Sequence, residues 1–258
     1  MDKFWTDLGE ALSNEALWAE FRSGIWDTLY STVLATLFAC ILGLVLGVLL
    51  VAGEEDGVRP LPGPVMSMLN FVINILRSVP FLILMLMVLP LSKLLLGTRI
   101  GTIASIPPLI IAAAPFVARL VETSLREVDK GIIEAAQSMG CSPFQIIWKV
   151  ILPESLPSLT GSFTTAFITI LGYGAMAGAI GGGGLGKIAI NYGYNKYNYA
   201  VMLIAVIFIV ILVQIFQALG TCLATRSDHR ITNKAGRRKL RRNVSRQINR
   251  DKRSPGGM

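Results

Sequence analysis

Glu134-Ala135-Ala136-Gln137-Ser138-Met139-Gly140-Cys141-Ser142-Pro143, followed by Ile151-Leu152-Pro153, forms a polar island between two long apolar runs. Asp129 is a natural N-cap for a helix beginning near Lys130, since its carboxylate accepts from free amides of the first turn. Ala135 and Ala136 favour that helix and keep one face shallow. Gly140 stops it as a C′ residue. Ser142 as N-cap, Pro143 at N1 and Gln145 at N3 then spell a capping box for a second helix. Ile146, Ile147 and Val150 supply its apolar face, and Leu152-Pro153 is expected to end it. The expectation is a rigid helix–turn–helix at a membrane surface, where another surface approaches closely. An ordinary amphipathic loop covering helix ends is the plainer alternative.

The runs on either side place the island in a membrane protein. Of 258 residues, 53% are hydrophobic and only 16% charged, against about a quarter charged in soluble domains. Charge-free stretches cover 28–53, 60–92 (broken only by Arg77), 100–118, 155–186 and 197–225. Each reaches the roughly 20 apolar residues of a bilayer-spanning helix, apart from the slightly shorter third. Backbone groups in lipid must be satisfied within the segment, which dictates helices. The fold class is therefore all-α integral membrane, multi-pass, with five transmembrane helices. Pro80 either kinks the second run or marks its true start.

Charge sets the orientation. With the island and the C-terminus on one side, that side holds 17 Lys/Arg and the other six, so the richer side is cytoplasmic. The N-terminus is then outside, and the acidic loop 53–64 falls inside. The net charge of +8 belongs to a tail, because residues 226–258 hold 12 Lys/Arg against Asp228 and Asp251. Such a tail is expected to stay unstructured and to touch anionic membrane lipid. It has no interleaved aromatic to stack a base, so no nucleic acid is expected. The N-terminal acids alternate with Phe4, Trp5, Leu8, Leu12 and Trp18, which is the pattern of an interfacial helix and not of a signal peptide. The expected organisation is an extracytoplasmic segment 1–25, a membrane domain 26–225 with the cytoplasmic loop 123–157, and the tail 226–258.

Enzyme chemistry finds no support. Cys40, Cys141 and Cys222 have no metal spacing, and His229 is the lone histidine. Gly181-x4-Gly186-Lys187 approaches a phosphate-binding loop but puts Ile188 where Ser or Thr must hold magnesium. The glycines more simply form a tight turn, or let the fourth and fifth spans approach or bend. Arg77 is the one cation inside an apolar run and thus a candidate for a polar route or a structural pairing, unless the second span starts near Val79 and leaves it near an interface. Asn70, Asn74 and Ser78 share helical spacing and suggest a polar seam with it, unless they serve helix packing. On the fourth span Tyr173 and Met176 stand amid Gly172, Gly174, Ala175, Ala177 and Gly178, either as a close helix interface or as the lining of a route.

Glu134-Ala135-Ala136-x3-Gly140-x9-Val150-Ile151-Leu152-Pro153 resembles the signature loop of ABC-importer permeases, departing only in Val150 for isoleucine. Further stretches extend the resemblance to about residues 22–225 and to permeases of D/L-methionine uptake systems. They are Asn74–Phe81, Ala112–Glu122, Gly172–Gly186 and Tyr192-Gly193-Tyr194. The resemblance implies a type I importer permease in the cell membrane. In it Glu134, Ala135, Ala136, Gly140, Ser142, Pro143, Leu152 and Pro153 form the coupling helix region that docks on an ATPase subunit. It implies ATP and Mg²⁺ on that partner and no cofactor on this chain. Two ATPase copies and an extracytoplasmic binding protein or lipoprotein complete the assembly. Five helices are few to enclose a route, which suggests a homodimer with Asn74, Arg77, Ser78, Tyr173 and Met176 along the pathway. Another small amino acid or solute as cargo, or a passive channel or scaffold, are the alternatives. With the native cysteines replaced, Ser13→Cys is expected to react with a membrane-impermeant maleimide in intact cells and Ser254→Cys only after lysis. The reverse pattern would invert the orientation.

Overall fold

The computed structural model describes residues 2–227, and every regular element among them is helical. From Asp228 onward the basic tail lies outside the described residues. The chain opens with α1 (Asp2–Ser13), whose Trp5 and Leu12 are exposed. Asn14 then caps α2 (Glu15–Ala52), its Oδ1 accepting from the Leu17 amide at 3.1 Å. The first span is thus the inner part of a much longer helix.

The second apolar run is not one straight span. It forms α3 (Gly63–Ser78) and α4 (Phe81–Leu96), bent by 108° at Val79-Pro80. Pro80 disfavours a helical conformation in the residue before it, and Val79 is accordingly extended at φ −77°, ψ 127°. Four helices are individually long and apolar enough to cross a membrane, and the bent pair makes a fifth if it counts as one span.

The third run is longer than the charge pattern indicates. Helix α5 (Thr102–Arg126) continues about two turns beyond it, through Arg119, Glu122 and Arg126. Running parallel to α2, it forms the centre of the molecule. Thr102 Oγ1 donates to Asp27 at 3.1 Å near one end, and Gly43 and Gly47 lie against Val117 and Val121 toward the other. Ala35, Ala39, Leu109, Ala113, Val117 and Val121 fill the seam between them and are buried. Small residues here let two backbones come close where lipid offers no hydrophobic drive for association.

Helix α8 (Leu152–Ala177) packs on this pair through Leu159, Ala166 and Ile170. Beyond it come a 3₁₀ turn (Gly178–Ile180), the short α9 (Gly184–Ile188), a π segment (Ala189–Asn195) and α10 (Tyr199–Ser227). The glycine run makes the turn that folds α9 back beside the end of α8, where Gly186 sits against the Ala175 backbone with no room for a Cβ. The Leu185 amide donates to Thr28 Oγ1 at 2.9 Å, fixing α9 to α2. Phe167 and Phe216, with ring centroids 4.2 Å apart, join α8 to α10.

A Cβ at Gly47 would meet Val121 Cβ at 2.6 Å and the Ala118 carbonyl at 2.8 Å, whereas one at Gly161 meets nothing within 4 Å. Gly47→Val is therefore expected to cost about 1–3 kcal/mol of stability, read as a lowered melting temperature in detergent. Gly161→Ala is expected to leave that temperature essentially unchanged.

Candidate functional site

The island folds as its capping chemistry predicts, up to one point. Helix α6 (Lys130–Ser138) starts at Asp129, whose Oδ1 accepts from the Gly131 amide at 2.7 Å. It ends in a Schellman turn, with Gly140 N–H donating to Gln137 at 2.9 Å and Cys141 N–H to Ala136 at 3.1 Å. Gly140 adopts φ +76°, the left-handed conformation this turn requires. Helix α7 (Pro143–Ile146) opens with the full capping box. Ser142 Oγ accepts from the Gln145 amide at 3.4 Å, and Gln145 Oε1 accepts from the Ser142 amide at 2.8 Å.

The expected stop at Leu152-Pro153 does not occur. Helix α7 runs through a π segment (Ile147–Ile151) directly into α8, giving one helical run from Pro143 to Ile180. Pro153 has no amide to donate, and in a regular α-helix its ring would press on the carbonyl four residues earlier. The wider π turn, in which Leu152 N–H donates to Ile147 five residues back, relieves that conflict without breaking the helix.

One face of this unit is anchored. Ala136, Ile146 and Ile151 are buried in the same core as Val121, Leu125 and Val128. Leu152 is half-buried against it. The other face is open, and Glu134, Ala135, Gly140, Ser142, Pro143 and Pro153 are exposed on it. Of the two alanines, then, only Ala135 faces outward. Met139, Phe144 and Trp148 are also exposed, and the Phe144 and Trp148 rings lie 6.1 Å apart. Sequence reasoning missed these three. The available signal was their position off the apolar face drawn by Ile146, Ile147 and Val150.

The pathway candidates divide. Tyr173 stacks on Phe81 with centroids 4.3 Å apart and planes within 6°, joining α8 to α4 beside the bend. Met176 is exposed one turn further along α8. Arg77 is exposed in the last turn of α3, and Ser78 Oγ donates to the Asn74 carbonyl at 2.8 Å. The polar seam suggested for Asn70 and Asn74 serves Arg119 of α5, not Arg77. Arg119 Nη2 donates to Asn70 Oδ1 at 2.7 Å and to Asn74 Oδ1 at 3.0 Å. Its Nη1 donates to Glu122 at 2.7 Å, and Glu122 accepts from Arg126 Nη2 at 2.8 Å. Arg126 also pairs with Glu54, in the loop after α2. The spacing of Arg119, Glu122 and Arg126 (i, i+3, i+7) was the overlooked clue.

A separate cleft lies between α8 and α10, lined among others by Glu127, Glu154, Ser158, Thr164, Gln217 and Thr221. None of the pathway candidates lines it. Among the described residues, no group of three or more His, Cys, Asp or Glu is placed to hold a metal ion.

Residues 43–233 match the family model described as the binding-protein-dependent transport system inner membrane component. The probable D-methionine transport system permease protein MetI of Vibrio cholerae is 49% identical over 205 residues, spanning 80% of this chain and 91% of that protein. The methionine import system permease protein MetP of Bacillus subtilis is 49% identical over 164 residues, 64% of this chain and 74% of that protein. A crystal structure of the MetNI methionine ABC transporter in an inward-facing conformation contains a chain that superposes with a TM-score of 0.81 at 39% identity. The match covers 84% of this chain and 100% of that one.

Loss of the Ser142 side-chain cap is expected to cost about 1 kcal/mol locally. In Ser142→Ala, hydrogen exchange at the Gln145 amide should quicken about fivefold, with Ser142→Thr close to the parent. Equal exchange in all three proteins would mean that the box contributes nothing.

Proposed function

We propose that this chain, which belongs to the family of binding-protein-dependent transport system inner membrane components, is the permease subunit of an ATP-driven importer of D- and L-methionine. The observation that carries the mechanism is the two-faced loop unit. Ala136, Ile146 and Ile151 fix it to the membrane core, while Glu134, Ala135, Met139, Phe144 and Trp148 are presented to a partner. A surface of small residues flanked by exposed aromatic and methionine side chains suits protein docking. In this reading the partner is an ABC ATPase subunit, which holds ATP and Mg²⁺ and supplies the energy.

Force enters at the loop. Because α7 continues into α8 through the π segment, a displacement of the docked face moves α8 and with it Tyr173 and Met176. Two copies of the chain place their α3, α4 and α8 faces around a shared route, each engaging one of two ATPase subunits. An extracytoplasmic binding protein or lipoprotein delivers the substrate. An unbranched, adaptable thioether such as Met176 suits a lining that passes methionine. The N-terminus is extracytoplasmic and the basic C-terminal segment cytoplasmic, where anionic lipid attracts it.

With the assembled transporter in proteoliposomes, Glu134→Lys and Gly140→Trp are expected to leave the chain inserted. Labelled methionine uptake should fall at least tenfold while ATP hydrolysis persists. Unaltered coupled uptake in both variants would defeat the docking role. Failure of excess unlabelled D- and L-methionine to compete with uptake would defeat the cargo assignment.

A further inference from the structure

The charged chain running from Glu54 to Asn70 is exposed at its Glu54–Arg126 end and sinks into the helix assembly at Glu122 and Arg119, and it has no part in the coupling loop or in the stacked Tyr173–Phe81 pair. Its members come from three segments. Glu54 follows α2, Arg119, Glu122 and Arg126 lie on one face of α5, and Asn70 and Asn74 lie on α3. Glu122 is buried and takes a guanidinium on each side, so two arginines and two carboxylates balance in charge. Such charge-assisted hydrogen bonds are stronger and more directional than neutral ones. Severing one end would strand a buried ion.

Helix α3 is otherwise held by one small apolar contact. Ile73 is its one fully buried residue, set with the partly buried Met66 and Leu69 against Leu50 and Ala118, while Val65, Met68, Phe71, Val72 and Ile75 are exposed. The Arg119 fork therefore supplies the oriented part of the contact between α3 and α5. At the other end of the chain, Arg126 is the last residue of α5, and Asp129 already caps α6. Val128 between them is buried with Ala136 and Ile146. The loop unit and the lower end of α5 thus form one packed body, and Arg119 is the group through which that body grips α3.

We propose that Arg119 is a positioning residue that makes α3 follow the coupling loop, so that α3 and its Pro80 bend move with the ATP cycle instead of lagging behind it. This rests on the permease reading above. Lysine, a point charge without a planar fork, cannot reproduce the simultaneous grip on Glu122, Asn70 and Asn74.

The test uses the assembled transporter in proteoliposomes, with ATP hydrolysis and methionine uptake measured on the same preparation. Arg119→Lys is expected to keep ATP hydrolysis within about twofold while uptake falls about tenfold. Asn70→Ala should shift the same ratio about threefold, and Asn70→Asp, which retains the acceptor, should restore it. Spin labels on α3 and α5 should give a single narrow distance in the parent and a broadened one in Arg119→Lys. An unchanged ratio of ATP to methionine in Arg119→Lys would overturn the proposal. So would a parallel fall in both activities with a lowered melting temperature, the mark of a purely structural role. Glu134→Lys serves as the reference. If it uncouples while Arg119→Lys does not, only this inference falls; if neither uncouples, the permease reading falls with it.

Discussion

The described helices are mounted on the close approach of α2 and α5. In lipid, apolar side chains gain little by turning toward each other, so helices associate through tight packing and a few polar contacts. Gly43 and Gly47 accept Val117 and Val121 at a distance that no Cβ would allow, and Ala35, Ala39 and Ala113 extend the seam. With α5 fixed in this way, its two ends acquire definite neighbours. Near its start Thr102 meets Asp27, and the Gly101 amide donates to Gly181 at 2.8 Å, binding the glycine turn. Near its end Leu125 and Val128 receive the two short helices of the loop.

Two structural connections leave that loop. One is covalent: α7, the π segment and α8 form a continuous helical run ending beside Tyr173 and Met176. The π turn matters because a proline-terminated helix would have placed a flexible joint there. The other is electrostatic, from Arg126 through Glu122 and Arg119 to α3. The two connections converge at one place. Helix α3 ends at Ser78, the chain turns at Pro80, and Phe81 on the far side of the turn stacks on Tyr173.

Much of this could be read in the residues. Asp129, Gly140, Ser142 and Gln145 act through local rules, since each satisfies backbone groups within a few residues, and all four appear as expected. The apolar runs gave the helices because lipid leaves no alternative. What escaped is long-range. Nothing local to Leu152-Pro153 announces that a π turn will absorb the proline, because that outcome depends on Ile146 and Ile151 being pinned in a core built by α5. Arg119 stands just beyond the third apolar run, where its charge counts only toward orientation. Only the packing of α3, distant in sequence, shows that Asn70 and Asn74 are its partners. Arg77, the one cation within an apolar run, is exposed in the last turn of α3 and takes no part in this network.

That exposure constrains the assembly. Lipid tolerates irregular backbone only where protein or water covers it, and a cation facing hydrocarbon costs several kcal/mol. The bend at Val79-Pro80 is irregular backbone, Tyr173 and Phe81 flank it on one side, and Ser78 and Arg77 are open on the other. Hydrocarbon is therefore the one surrounding that this face does not suit. A water-filled route or a second copy of the chain satisfies both the open backbone and the guanidinium, and a route enclosed between two copies satisfies them together. In the proposed two-copy permease the bent pair would be the element that completes the route, and the grip of Arg119 on α3 would carry the loop's displacement to it.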